Sequence, residues 1–284
     1  MGLVTWLSIM SLISMSIAPV LNKFASTQIG WAWGAALSSF FCFIICVVAR
    51  PGAALAICKS KKVFSRSLLL IAVTNSLGLI CQFAAVMRLD PPTLSILGRM
   101  YVVFSIALSQ FVLKEKCSRF EAGTILMVLS GAVLFCWSSH LSSDGFGIAL
   151  CLAYCLFFAL THLQVKSETS KTSANSILLV NNFLSAVFLI PLALFVSKSS
   201  SFGDMQGVLC ILGASFFSGW LGLLLFYESL KRIPLVRANF IRTFSPIAGV
   251  LVAWPFFPVQ FSIIQLVGAA TMVSALFIQA IGRK

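Results

Sequence analysis

The chain has 284 residues, of which 60% are apolar and only 10% charged, against about 25% charged in an ordinary soluble domain. Mean hydropathy is +1.03 and there are 26 Phe, so too little polar surface exists to cover a water-soluble globule. These figures exclude a soluble enzyme, a disordered chain and a nucleic-acid-binding domain, and leave a polytopic membrane protein.

A helix that crosses the hydrocarbon core needs about 20 mostly apolar residues. Ten such runs follow one another, at 3–22, 29–49, 67–87, 92–113, 120–138, 145–164, 174–196, 205–227, 234–254 and 261–281. The expected fold is therefore all-α, with ten transmembrane helices. The first run has no basic residue before it and no small-x-small cleavage site after it, so it reads as a retained span rather than a leader. The uncharged stretch Thr243–Gly282 is 40 residues long. As one helix it would be about 60 Å, roughly twice the core thickness. It must break, and Pro255 and Pro258 mark the turn. No remaining loop is long enough for a soluble domain, the longest being the basic segment Arg50–Arg66.

The net charge of +13 sits in the loops. With the N-terminus in the cytoplasm, 14 basic residues face that side: Arg50, Lys59, Lys61, Lys62, Arg66, Lys114, Lys116, Arg119, Lys166, Lys171, Lys231, Arg232, Arg283 and Lys284. The opposite side holds three, Lys23, Arg88 and Lys198. This positive-inside bias predicts an integral protein of the plasma (bacterial inner) membrane with both termini cytoplasmic. It also accounts for the charge without a nucleic-acid partner. Trp6, Trp31, Trp33, Trp137 and Trp254 fall near span ends, where interfacial belts form, whereas Trp220 lies deep in the eighth run.

Three features recur at an offset of 143: Lys23 with Lys166, Pro91 with Pro234, and Arg99 with Arg242. Gly123 and Gly268 recur at an offset of 145. Each pair falls at the same point of the matching run. Residues 1–142 and 143–284 then form two five-span repeats, and an odd span count makes the second enter the membrane from the opposite side. Inverted repeats of this kind support alternating access around a midplane site.

The segments Leu89-Asp-Pro-Pro-Thr-Leu-Ser-Ile-Leu-Gly-Arg99 and Phe111-Val-Leu-Lys-Glu115, followed by Gly123 and Gly131, resemble the later part of an EamA-type repeat. Leu230-Lys-Arg-Ile-Pro234, Phe244-Ser-Pro246 and Gly268 resemble a second copy. The resemblance is to EamA-like transporters of the drug/metabolite transporter superfamily and covers nearly the whole chain. It implies a small-molecule transporter whose cavity is lined by the first, third, fourth, sixth, eighth and ninth helices. Repeats of that family carry a Pro in the fourth helix and an acidic residue twelve positions later. Here Val103 stands where the first copy would have Pro, and Pro258 where the second would have the acid.

The chemistry concentrates on two arginines inside spans. A charge at the bilayer centre costs about 2.5–3.5 kcal/mol on insertion scales, so it is expected to face a cavity or a partner. Arg99 and Arg242 lie about 10 and 12 Å from opposite membrane faces, and no acidic residue sits at comparable depth to neutralise them. Two such guanidiniums suit a carboxylate or phosphate, which they bind through a planar fork. Snorkelling or bonds to backbone carbonyls and neighbouring amides are the structural alternative. Asn239 shares a helix face with Arg242, and Asn75 shares one with Gly78 and Gln82. Such polar stripes serve helix packing as readily as ligands. Trp220 could stack on flat cargo or fill space. Tyr101 is on the other side of its helix from Arg99.

The pairs Cys42/Cys46 and Cys151/Cys155, with His162 further along, do not make a convincing metal set on single helices. There is no GxxxxGK[ST] phosphate loop. No cofactor is expected. The partners expected are a small-molecule substrate and the lipid bilayer, with the oligomeric state left open. Proton relays run through Asp, Glu or His; here only Glu228 and His162 are available, both near the cytoplasmic end of their helices, so a facilitator or exchanger is expected rather than a proton-driven pump. Its cargo would be an anionic or zwitterionic metabolite: an amino acid, an organic acid, a phosphorylated compound or a nucleotide-like molecule such as S-adenosylmethionine. An exporter of apolar drugs or amphiphiles is the alternative. A membrane-embedded lipid-modifying enzyme would need paired Asp or an interfacial His nucleophile, and neither arrangement is present.

The topology has a direct check. Alkaline phosphatase fused after Ser143 is expected to be active outside the cytoplasm, and the same enzyme fused after Lys171 to be inactive. Equal activity at both points would contradict the charge reading.

Overall fold

Backbone polar groups find no water in a bilayer core, so an apolar chain of this kind closes its hydrogen bonds within helices. The computed structural model describes residues 2–52, 65–89, 94, 97–98, 100–114, 118–135, 144–196, 205–242, 244, 248 and 262–281, and among these there is no strand. We name the helices α1 (Gly2–Ile29), α2 (Trp31–Ala49), α3 (Arg66–Arg88), α4 (Met100–Val112), α5 (Arg119–Phe135), α6 (Gly145–Glu168), α7 (Ala174–Val196), α8 (Met205–Leu230), α9 (Leu235–Arg242) and α10 (Ile263–Ile281). Five of these, α2, α3, α6, α7 and α8, are long and apolar enough to cross a membrane. Large apolar side chains cover the outside, with Phe195 88%, Phe111 84% and Ile263 81% exposed. A surface of this kind requires lipid, and the protein is an all-α integral membrane protein.

The helices fall where the apolar runs predict, with instructive shifts at their ends. α7 spans 174–196 as expected. α1 continues to Ile29 rather than stopping near residue 22. Nothing between Asn22 and Gly30 breaks a helix, and Gly30 supplies the turn into α2 with a φ of +80°, a conformation that costs only glycine nothing. α6 runs on to Glu168 and includes Lys166, placed above in a loop. Residues 53–64, 136–143 and 249–261, which include Trp137, His140, Trp254 and the Pro255/Pro258 turn, lie outside the described residues.

α3 and α6 lie side by side and antiparallel, as three contacts spaced along their lengths show. At one end Ser67 donates to Glu168 at 2.8 Å. Midway, Thr161 donates to Thr74 at 2.8 Å. At the other end Arg88 pairs with Asp144 at 3.0 Å. Asp144 also caps α6, accepting from the backbone N–H of Phe146 at 3.1 Å and of Gly147 at 3.2 Å. The Gly147 N–H first, then Arg88, hold its carboxyl below the ordinary carboxylate range. A depressed value of this kind means that the cap is fully made at neutral pH and is lost as acid titrates it below that range.

The other principal neighbours are α1 with α8, α2 with α7 and α8, α5 with α10, α4 with α6, and α3 with α7 and α2; α4 also meets α9. α8 is α-helical at both ends but widens to a π-helix over Ser215–Gly222. Hydroxyls bond to the carbonyls of that segment: Ser11 of α1 donates to the Gly222 carbonyl at 2.7 Å, and Ser14 donates to that of Phe217. α5 and α10 touch most closely at Gly131. A Cβ there would come within 2.9 Å of the Gly268 carbonyl and 2.8 Å of Met272 Cγ, whereas one at Gly123 would meet nothing. Of the glycines in the repeat pattern, Gly131 and Gly268 therefore make the crossing, and Gly123 does not.

Gly131→Leu is expected to force α5 and α10 apart and destabilise the protein by about 1–3 kcal/mol, read as a lowered thermal midpoint in detergent. Gly123→Ala in the same assay should be neutral or slightly stabilising, since Ala is the better helix former.

Candidate substrate-binding site

α9 begins after Pro234, whose missing N–H is no loss in a first turn, and Ala238 bonds back to the Pro234 carbonyl at 3.1 Å. Its last residue is Arg242, half-buried inside the bundle. The guanidinium has found three contacts. Nη1 donates to the Tyr101 hydroxyl of α4 at 3.3 Å. The guanidinium carbon lies 4.5 Å from the centroid of the Phe226 ring of α8 and 5.2 Å from that of Tyr101. Aromatic faces attract a cation by about 0.5–2 kcal/mol each, of the same order as the insertion cost of the charge. They leave the charge itself unneutralised. Among the described residues the ion pairs are Arg88–Asp144 and Lys231–Glu228, both at helix ends, and Arg242 has no carboxylate partner.

A histidine completes the cluster. His162 Nδ1 of α6 is 2.6 Å from the Tyr101 hydroxyl oxygen. The ring is 5% exposed. It packs edge-on against Tyr101, Phe226 and Tyr227, with centroids 5.5, 5.0 and 6.1 Å away. Residues from α4, α6, α8 and α9 thus meet at one point. Arg242 and Tyr227 approach it from helices of the second half of the chain, and Tyr101 from the first.

The remaining sequence candidates are distributed differently. Arg99 lies outside the described residues. Asn239 is on α9, one turn before Arg242. Asn75 is buried and donates to Ser185 of α7 at 3.2 Å, and Gly78, next on its stripe, abuts Phe158 of α6. That stripe is engaged in helix packing. Gln82 is half-buried, two turns further along α3. Trp220 sits in the π-helical segment of α8, with its ring 5.5 Å from Phe216. Its indole nitrogen is buried with no hydrogen-bond partner among the described residues. Tyr101, ranked low because it faces away from Arg99, is the residue in direct contact with Arg242.

Three features escaped the sequence reading. His162 was read as a possible soft ligand or titratable group, not as a partner of Tyr101. Glu168 is a buried carboxylate, accepting from Ser67 at 2.8 Å and Thr172 at 3.2 Å. α7 carries Asn175, Asn181 and Asn182, all buried; the amides of the first two have no partner among the described residues, while Asn182 donates to the Leu178 carbonyl at 2.8 Å. Three Asn in one apolar run were visible signals of interhelical contact. Lys166 is also more than a topology signal. It donates to the carbonyls of Leu230 and Ile233, capping the C-terminal end of α8. Glu228 pairs with Lys231 at 2.8 Å. Among the described residues no group of His, Cys, Asp and Glu is placed to hold a metal ion.

Comparison with known proteins agrees with this architecture. The model of the EamA-like transporter family matches the chain twice, over residues 3–137 and 145–280. A curated relative, "Uncharacterized transporter YetK" of Bacillus subtilis (strain 168), is 24% identical over 185 residues, covering 62% of this chain and 56% of that protein. The chain thus matches little more than half of that relative's length. A protein of known crystal structure superimposes with a TM-score of 0.79 at 12% identity, covering 98% of this chain and 96% of the other. At that identity the likeness speaks for the fold alone.

Proposed function

Since the chain belongs to the EamA-like transporter family, we propose that it is a secondary transporter of a small anionic or zwitterionic metabolite, worked by alternating access, with the solute held at Arg242. One observation carries the reading: a half-buried guanidinium inside an apolar bundle, in contact with Tyr101 and Phe226 and with no carboxylate partner among the described residues. One of its N–H groups is engaged, and the others suit a carboxylate or phosphate fork. Arg99, its counterpart at the 143-residue offset, would supply the second cation, and Asn239, Asn75 and Gln82 further polar contacts. Trp220 and Tyr101 favour a cargo with a flat ring, such as a nucleotide-like compound. The activity is transport rather than catalysis.

The helix neighbours support an inverted five-plus-five arrangement over 1–142 and 143–284. Exchanging each helix for its counterpart five places on turns the pair α1–α8 into α6–α3. The same exchange returns α2–α7, α4–α9 and α5–α10 to themselves. A pseudo-two-fold axis between the halves has this property, and it is the symmetry that alternating access needs. On this reading both termini are cytoplasmic.

Export of apolar amphiphiles is the second reading. A cleft of about 390 Å³ between α1 and α8, lined by Trp6, Met10, Ile13, Phe217, Leu221 and Leu225 among others, is apolar but for Ser14 and favours it.

A thermal-shift screen of the purified protein separates the two. A solute that binds the folded state at a hundredfold excess over its Kd stabilises it by about 2.7 kcal/mol. Organic acids, amino acids, phosphorylated compounds or S-adenosylmethionine are expected to raise the midpoint, and Arg242→Gln to remove most of that rise. A rise produced by neutral or cationic amphiphiles alone, unchanged in Arg242→Gln, would favour the second reading over the first.

A further inference from the structure

The cleft between α1 and α8 faces the membrane. Of its lining residues, Trp6 is 64%, Met10 51% and Ile13 44% exposed, and the outside of this bundle is lipid. Its one polar lining residue, Ser14, is already spent, donating to the Phe217 carbonyl. A water would need two or more polar partners there, and a polar solute would need groups to orient it. An acyl chain needs neither. At the matching point of the pair α3–α6 the helices are closed. Gly78 stands 143 residues before Leu221, and a Cβ on Gly78 would come within 2.6 Å of the Phe158 ring. The groove therefore belongs to one flank of the bundle, at the end where α8 finishes.

That end carries unspent positive charge. From Leu221, the residues Leu225, Glu228 and Arg232 follow at four, seven and eleven positions, which is one face of a helix. The helical course holds that far. The Arg232 backbone N–H donates to the Ser229 carbonyl at 2.9 Å, and that of Ile233 to the same carbonyl at 3.1 Å. Arg232 thus lies about 10 Å beyond Leu225 along the cleft axis. Glu228 is paired with Lys231 at 2.8 Å. Glu168, the other acid at this end, is buried and bonded to Ser67 and Thr172. Arg232 is exposed, and among the described residues no carboxylate pairs with it. The carbonyls at a helix C-terminus ordinarily repel an anion. Here Lys166 takes those of Leu230 and Ile233, which removes much of that repulsion.

An apolar groove open to lipid thus leads, along one helix face, to a solvent-exposed guanidinium at headgroup depth. We propose that this flank binds one anionic phospholipid, with an acyl chain lying in the cleft and the phosphate held by Arg232. The guanidinium fork matches two phosphate oxygens, and a basic residue at the membrane surface favours anionic over zwitterionic lipid. The chain lies against Phe217 and Leu221, in the π-helical segment that also carries Trp220. The lipid is a resident of the membrane and not the cargo, so the site does not depend on the reading of Arg242.

The test uses the full chain reconstituted in phosphatidylcholine vesicles that contain a low, fixed mole fraction of lipid brominated along its acyl chains. Bromine quenches an indole it touches, and Trp6 stands in the cleft wall. The Trp6 signal is the difference between wild type and Trp6→Phe, which keeps a ring at this exposed position. Brominated phosphatidylglycerol is expected to occupy the cleft about fivefold more favourably than brominated phosphatidylcholine, the preference that one basic residue confers at a membrane surface. Arg232→Gln should bring the two lipids level. Lys171→Gln, which removes the same charge from an exposed position after α6, should keep the preference.

Equal quenching of Trp6 by the two lipids in wild type, or quenching by neither, overturns the proposal. A preference that survives Arg232→Gln overturns it too, since the phosphate then sits elsewhere. A preference lost equally in Lys171→Gln reduces the effect to the general surface charge of the protein and overturns the site as well.

Discussion

A guanidinium cannot shed its charge, so a bundle that carries one inside must surround it with groups that tolerate a cation. Here that role falls to the hydroxyl and ring of Tyr101 and to the ring of Phe226. The Arg242–Tyr101 contact joins α9 to α4, and Phe226 and Tyr227 bring in α8. His162 brings in α6 through the same hydroxyl. Contacts from α4, α6, α8 and α9 thus converge beside the guanidinium, around one phenol.

The contacts that hold the frame around this point lie nearer the helix ends. Arg88 and Asp144 join α3 to the start of α6. Lys166 holds the end of α8 from the end of α6. Midway along α1 and α8, serine hydroxyls of α1 meet the carbonyls of the π-helical segment of α8. A π-helical turn is a costlier backbone than the α-helix around it and often marks a functional position. In α8 it contributes Phe217 and Leu221 to the apolar cleft against α1, carries Trp220, and precedes the cluster at Phe226 and Tyr227.

Helix positions were legible because spanning lipid demands long apolar runs, and each such run is visible in the residues themselves. α7 matches its run residue for residue, while α1 runs on to a breaker, Gly30, rather than stopping where hydropathy falls, and α6 runs four residues past its apolar run. That Arg242 turns inward was legible too, since a charge in a span is expected to face a cavity or a partner. Its partners were not. Tyr101 was discounted by a helical-wheel comparison with Arg99, but the relevant neighbour is on α9, 141 residues away. His162 lies 61 residues from Tyr101 and shares no local motif with it. Partnerships of that range depend on how helices are arranged across the bundle, and spacing along the chain carries no record of it. Asn75 shows the same limit: its stripe with Gly78 was plain, but the neighbours they meet, Ser185 of α7 and Phe158 of α6, were not.

The assignment of Arg242 to the substrate is tested most directly by a structure of the protein soaked in selenate, an oxyanion that anomalous scattering locates without ambiguity. A peak within about 3 Å of the guanidinium nitrogens, with the Tyr101 hydroxyl turned from Arg242 toward the bound oxyanion or His162, is the predicted result. An empty site at saturating selenate, with Arg242 still bonded to Tyr101 or engaged by a carboxylate of the chain itself, would contradict it.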